Sequence, residues 1–206
     1  MPSTNQVPDI VVGRLPIYLR ALNHLLEEGK RVTASKELAE RLGISPAQIR
    51  KDLSYFGEFG KQGMGYEIAY LRDQLRAILQ VDRHWTLALV GAGDLGHAVV
   101  DYGGFEQWGY RMCCVFDNDP KKIGTYLGEF KILEAATMPQ HIRQEGIQIG
   151  IVAVPASEAQ TVVDQLIAAG VRAILNYAPI TVTVPEGVQV QYLDPVMHLQ
   201  HMTYYL

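Results

Sequence analysis

The run Gly91-Ala92-Gly93-Asp94-Leu95-Gly96, set directly after the apolar stretch Trp85–Val90, constrains this chain more than any other feature. Three glycines at these intervals suit a turn from a strand into a helix. The first permits the tight turn, the second lets a pyrophosphate come up against the backbone, and the third allows the helix to pack closely on the strand. The phosphates then rest on the N–H groups at the start of the helix. Such a motif alone is common. Here a second strand, Arg111–Phe116, runs into Asp117, twenty-one residues past Gly96, where a carboxylate can accept a hydrogen bond from a ribose 2′-hydroxyl. Strand, glycine loop, helix, strand and acid together predict a Rossmann-type unit that binds a dinucleotide, and the acid favours NAD over NADP. Val154 and Pro155, at the end of a third strand Ile149–Val154, are counted with the same candidate site.

The rest of this half keeps alternating. A helix over 158–169 lies between Ile149–Val154 and a strand Ala173–Leu175, and the alternation predicts a parallel sheet with helices on both faces. Thr181–Val184 and Val188–Tyr192 read as late strands. Asp194-Pro195 opens a C-terminal helix reaching Leu206, an N-cap followed by proline at the first helical position. Cys113 and Cys114 adjoin in a strand and are therefore expected on opposite faces, which excludes a disulfide framework and fits a reducing cytoplasm. Catalytic groups are missing. No lysine lies four residues after a tyrosine, as short-chain dehydrogenases require, and the six histidines pair with no acid in a way that suggests hydride transfer or a metal. A nucleotide held without catalytic groups implies a sensor rather than an enzyme.

The first eighty residues have a different character. Leu15, Leu19, Leu22 and Leu26 repeat at helical spacing up to Gly29. A short helix over 35–42, capped by Ser35 and stopped by Gly43, should bury Leu38, Ala39 and Leu42. Ser45-Pro46-Ala47-Gln48 then combines an N-cap serine, a proline at N1 and glutamine at N3, the pattern of a capping box. The helix that follows, ending at Gly57, places Ile49, Leu53 and Phe56 on one face and Ala47, Arg50, Lys51, Ser54 and Tyr55 on the other. Asp52 falls nearer the buried side and is expected to make a contact within its own domain. Residues 57–66 hold four glycines in ten and suit a β-ribbon, and 68–80 return to helical spacing.

Helix, short helix, tight turn, capped helix and ribbon form the outline of a winged helix-turn-helix. Its exposed face can enter a major groove, with Arg50 forking onto guanine and Lys51 and Tyr55 meeting phosphates. Ser45, Ala47 and Ser54 complete that candidate surface, and Lys61 at the tip of the ribbon is placed for a flanking minor groove. Charge agrees with this division. Residues 1–83 carry a net charge of +2 and residues 84–206 a net of −6, so a polyanion belongs with the first part. The domains expected are 1–82 for DNA binding, 83–192 for NAD(H) and 193–206 as a C-terminal helix. The polar, proline-broken N-terminus does not read as a signal peptide, and no apolar run approaches the length of a membrane span.

The chain resembles the Rex family of bacterial NAD(H)-responsive, redox-sensing repressors over essentially its whole length. The resemblance rests on Ile49-Arg-Lys-Asp-Leu-Ser-Tyr-Phe-Gly57, Gly63-Met-Gly-Tyr66, Asp101-Tyr-Gly-Gly-Phe105, Asn176-Tyr-Ala-Pro179 and the helix opened by Asp194. It implies a homodimer on a palindromic operator, released when NADH moves the two winged helices out of register, while NAD⁺ competes for the site and leaves DNA binding intact. It implies also that the C-terminal helix is exchanged between subunits. Tyr102 resembles the tyrosine near the nicotinamide, and Asp194 the aspartate that pairs with an arginine at the position of Arg20. Pro195 stands where relatives carry a leucine or an aromatic residue, and Tyr177 where phenylalanine is more usual. Two alternatives to a repressor are an NAD-dependent oxidoreductase with an accessory helix-turn-helix, and a CoA- or nucleotide-binding module that serves protein interaction.

Overall fold

The computed structural model describes residues 7–61 and 64–206 of the chain, Lys61 by its backbone alone. The Lys61 side chain, Gly63 of the ribbon and the polar stretch 1–6 considered above lie outside the described residues. By its internal contacts the chain divides into two compact units, Met1–Arg83 and His84–Leu206.

The first unit runs α1 (Asp9–Val12), α2 (Leu15–Glu27), β1 (Val32–Thr33), α3 (Ser35–Leu42), α4 (Pro46–Ser54), β2 (Gly60–Lys61), β3 (Gly65–Glu67) and α5 (Ile68–Ile78). Helix α2 buries Leu15, Tyr18, Leu19, Leu22 and Leu25. Leu25 and Tyr18 replace the expected Leu26 because the stripe drifts by one position over three turns. Helix α3 buries Leu38 and Ala39 but leaves Leu42 half-buried. Its N-cap is Ala34, not Ser35. Ser35 is already helical, and its hydroxyl receives a hydrogen bond from Arg50 instead. At α4 the expected cap forms, with Gln48 N–H donating to Ser45 Oγ at 3.2 Å and Pro46 opening the helix. The return half of the capping box is absent, since the Gln48 side chain donates to Asp52. Strands β2 and β3 make the expected antiparallel ribbon, and β1, which sequence periodicity did not reveal, pairs with β3 to complete a three-stranded sheet. The unit is a winged helix.

The second unit runs β4 (Trp85–Val90), α6 (Asp94–Asp101), β5 (Tyr110–Asp117), β6 (Tyr126–Leu127), β7 (Phe130–Glu134), α7 (Met138–Glu145), β8 (Ile149–Val152), α8 (Ala156–Ala169), β9 (Ala173–Asn176), β10 (Gln189–Tyr192) and α9 (Pro195–Thr203). The sheet order is β10-β9-β8-β4-β5-β7-β6. All pairs are parallel except β6 with β7, a short edge hairpin. Helices cover both faces of the sheet. Ala88, Val90 and Phe116 face a cluster with Ile142, Val163 and Leu166 of α7 and α8. Leu87, Leu89 and Val115 face Val99 of α6 together with Leu127 and Ile132. The chain winds outward from β4 through β5 and β7, then crosses back to β8, so the carboxyl end of β4 is the point where strand order reverses and a crevice must open.

Three expectations need correction. Thr181–Val184 is not a strand, and its two central amides are taken by side chains: Val182 N–H donates to Tyr192 Oη and Thr183 N–H to Gln160 Oε1. The third Rossmann strand stops at Val152, leaving Val154 and Pro155 in the loop that leads into α8. Cys113 and Cys114 do not face opposite sides. The register passes from Leu87 opposite Met112 to Ala88 opposite Cys114, so Cys113 is the extra residue of a bulge. Both cysteines turn toward the same core cluster.

Candidate functional site

The glycine loop follows β4 without a break and ends in α6, whose first turn begins at Asp94. Gly91 has φ +104°, and a Cβ there would lie 2.3 Å from the Ala153 carbonyl oxygen. A Cβ on Gly96 would meet the Gly91 carbonyl oxygen at 2.2 Å. Gly93 differs from both, since nothing lies within 4 Å of where its Cβ would be. The first and last glycines are thus dictated by the chain's own backbone, and the middle one keeps a space open. That space belongs to a cleft of about 530 Å³ lined by Gly91, Gly93, Asp94, Leu95, Asp117, Val154 and Pro155 among others. Ala92 and Gly96 are buried beneath it.

Asp117 closes the far end of the cleft and is only 7% exposed. Its Oδ2 accepts from Ala92 N–H at 2.8 Å and from Lys122 Nζ at 3.2 Å, and its Oδ1 accepts from Asp119 N–H at 2.8 Å. Burial pushes this carboxyl up, but the hydrogen bonds from Asp119, Ala92 and Lys122 override it and hold the group below the ordinary aspartate value. A carboxylate offers about four acceptor positions, so one remains for a hydroxyl. Asp117 therefore fixes the glycine loop as well as facing the cleft. Sequence reasoning missed Asn118, Asp119, Lys122 and Glu158, which also line the cleft. The signal available was the Asp-Asn-Asp-Pro turn, with Lys122 one helical turn further on.

A second, mostly apolar cavity of about 580 Å³ shares Leu95 with the cleft and is lined by Tyr177, Leu193, Pro195, His198 and Leu199. Both departures from the family pattern, Pro195 and Tyr177, line this cavity. Tyr102 lines neither. It lies just past the end of α6, 59% exposed, with its ring edge-on to Phe105 at 5.3 Å. Asp194 caps α9 by accepting from Val196 N–H at 2.9 Å. Helix α9 buries no residue and exposes Val196, Met197, Leu199 and Met202.

In the first unit, α4 buries Ile49, Asp52 and Leu53 and exposes Ala47, Arg50, Lys51, Ser54 and Tyr55, with Ser45 exposed at its start. Asp52 is fully buried. It accepts from Arg14 Nε at 2.6 Å and Nη2 at 2.7 Å, from Tyr18 Oη at 2.5 Å and from Gln48 Nε2 at 2.7 Å. Burial raises this carboxyl, while the hydrogen bonds from Arg14, Tyr18 and Gln48 lower it more, so it stays below its ordinary value. The expected contact of Asp52 within its own domain is thus a clamp from α4 to α2. Arg14 and Tyr18 went unnoticed in the sequence, although their spacing of four puts them on one face of the chain entering α2. Arg50 is not free on its surface. Its Nη1 donates to Ser35 Oγ at 3.0 Å, which steadies the guanidinium against the start of α3. Burial pushes the Tyr66 hydroxyl up, opposed by the nearby Arg50 charge. Arg20 is exposed on α2.

Residues 6–54 match the family model described as "Putative DNA-binding protein N-terminus", and residues 82–180 match the one described as "CoA binding domain". The chain is 50% identical to a protein named redox-sensing transcriptional repressor Rex from Chloroflexus aggregans, over all of this chain and 97% of that one. It is equally identical to the protein of that name from Roseiflexus sp. strain RS-1, over 94% of its length. Among solved structures it resembles RSP in complex with β-NAD⁺ and operator DNA, with a TM-score of 0.92 and 35% identity over 97% of this chain and 92% of that one. It also resembles RSP in complex with β-NADH, with a TM-score of 0.88 and 33% identity over 98% and 94%. These relatives are named as repressors, not as oxidoreductases. The chain belongs to the Rex family of redox-sensing transcriptional repressors.

Proposed function

We propose that this repressor binds palindromic operator DNA as a homodimer through its winged helices, and releases it when NADH enters the cleft of the second unit. The observation that carries this reading is the pairing, in one chain, of an exposed, clamped α4 with a glycine-loop cleft closed by Asp117. Full-length likeness to a structure described with both β-NAD⁺ and operator DNA supports it.

On the DNA side, Arg50 reads a guanine edge while Ser45, Ala47 and Ser54 permit close approach, Lys51 and Tyr55 hold phosphates, and Lys61 enters a flanking minor groove. In the cleft, the pyrophosphate rests on the loop Gly91–Gly96 at the start of α6, walled by Val154 and Pro155. Asp117 takes the adenosine ribose, its one remaining acceptor position meeting the 2′-hydroxyl. The nicotinamide extends past Leu95 toward the apolar cavity, and Tyr102, which lines neither that cavity nor the cleft in this structure, swings in from the segment after α6 to sense its oxidation state. Helix α9, apolar and without a buried residue in its own chain, is exchanged between subunits. There Asp194 leaves its capping role and pairs with Arg20 in one of the two states. The place of action is the cytoplasm, and among the described residues no helix is long and apolar enough to cross a membrane.

A ligand shifts a two-state equilibrium only by its differential affinity, and a near-complete switch needs roughly 10⁴-fold discrimination. The test is a titration of protein bound to a palindromic duplex with NADH and, separately, with NAD⁺, across several salt concentrations. NADH should abolish salt-sensitive, sequence-selective binding, and NAD⁺ should not. Binding indifferent to NADH, or catalytic consumption of NADH with a small carbonyl substrate, would overturn the reading. Arg20→Ala and Asp194→Ala should each uncouple release from NADH, with the double variant little worse than either. A normal NADH response in both single variants would leave Asp194 a helix cap and nothing more.

A further inference from the structure

In a regular strand, neighbouring side chains alternate between faces, and two adjacent cysteines share no surroundings. The bulge in β5 removes that separation, since Cys113 is the extra residue between the pairs Leu87–Met112 and Ala88–Cys114. Cys114, 6% exposed, and the half-buried Cys113 pack against the same core cluster. Both also line one cavity of about 460 Å³ between β5, β7 and α7, walled in part by Phe130, Leu133 and His141. This cavity shares no lining residue with the cleft over the glycine loop.

Both thiols are free. Cys113 Sγ donates only a long contact, 3.6 Å, to the Arg111 carbonyl of its own strand. Burial pushes the Cys114 thiol up to about 11, so it is protonated at neutral pH. Among the described residues no group of three or more His, Cys, Asp or Glu is placed to hold a metal ion. A four-ligand zinc site is therefore not what the bulge builds. It builds a pair of soft sulfur donors that share one cavity.

We propose that Cys113 and Cys114 form a binding site for trivalent arsenic or antimony compounds, a ligand class that needs two neighbouring thiols and no third protein donor. The reaction is a condensation. Two S–H bonds break, two arsenic–sulfur bonds form, and the oxygen on arsenic leaves as water with both protons. No electrons are transferred, so no oxidant is required. Phe130 and Leu133 offer an apolar wall to an organic substituent on the arsenic.

The probe is phenylarsine oxide added to the native, reduced, full-length protein and followed by intact mass. One phenylarsenic group per chain should appear with loss of two protons, should resist a large excess of 2-mercaptoethanol, and should leave on addition of dimercaptopropanol. Cys113→Ala, at the half-buried bulge position, and Cys114→Ala should each lose the monothiol-resistant adduct while circular dichroism reports an intact fold. Absence of an adduct on the native chain would overturn the proposal. So would an adduct that monothiol strips, one that forms only in denaturant, or one that persists in Cys113→Ala.

Discussion

The clamp at Asp52 should be the most sensitive point of the DNA-binding unit. Among the described residues, Arg14 supplies two of the four hydrogen bonds to this fully buried carboxylate and the only positive charge paired with it. Arg14→Met keeps the unbranched stem of the side chain and removes both the hydrogen bonds and the charge. Leaving one member of a buried pair uncompensated costs about 3–5 kcal/mol. Asp52→Asn is the milder change, because Arg14 is 19% exposed and can turn toward water. It should cost roughly 1–3 kcal/mol, the penalty of imperfectly met hydrogen bonds. The assay is amide hydrogen exchange of peptides covering α4 in the full-length protein, since a two-unit chain has no single unfolding free energy. At about 1.36 kcal/mol per decade, Arg14→Met should speed exchange roughly 10²-fold to 10³-fold or more, and Asp52→Asn by clearly less. The sign with pH follows from the lowered Asp52 value. The clamp's contribution is complete above the unfolded-state aspartate pKa of about 3.9 and is lost as pH falls from there through the lower folded value. Asp52→Asn should abolish that acid dependence. Exchange in Arg14→Met no faster than in Asp52→Asn would refute the reasoning.

Gly93→Ala should leave folding unchanged and sharply weaken NADH binding, because only ligand space surrounds its Cβ position, whereas Gly96→Ala should damage the fold by driving a methyl into the Gly91 carbonyl. Equal thermal destabilisation of the two variants would contradict this. Asp117→Ala should narrow the preference for NAD(H) over NADP(H), since it removes the carboxylate and leaves Lys122 to meet a 2′-phosphate. It should also weaken both cofactors by releasing the Ala92 amide. Calorimetry showing an unchanged preference would count against it. Arg50→Ala should cost roughly 1–3 kcal/mol at one base position and relax specificity there. Lys51→Ala should weaken all duplexes alike and flatten the salt dependence. Two variants with normal binding to every duplex would remove α4 from recognition.

The sequence by itself determined those features whose cause is local. The strand Trp85–Val90, the glycine loop, the cap at Ser45-Pro46 and the buried face of α4 all follow from residues within a few positions of one another. Glycine, proline and apolar periodicity act over that range. The exposed face of α4 was therefore legible, as was Asp117 at the end of β5. Tertiary structure alone decided what depends on chain segments far apart. The hold of Asp117 on the Ala92 amide, the grip of Arg14 and Tyr18 on Asp52, and the tether from Arg50 to Ser35 arise only when separate elements dock. Thr181–Val184 has the composition of a strand, yet Tyr192 and Gln160 take its two central amides in place of a partner strand. The bulge at Cys113 is the sharpest case. A period of two puts adjacent cysteines on opposite faces, and only the register of β5 against β4, fixed by pairing across the sheet, turns both to the same side.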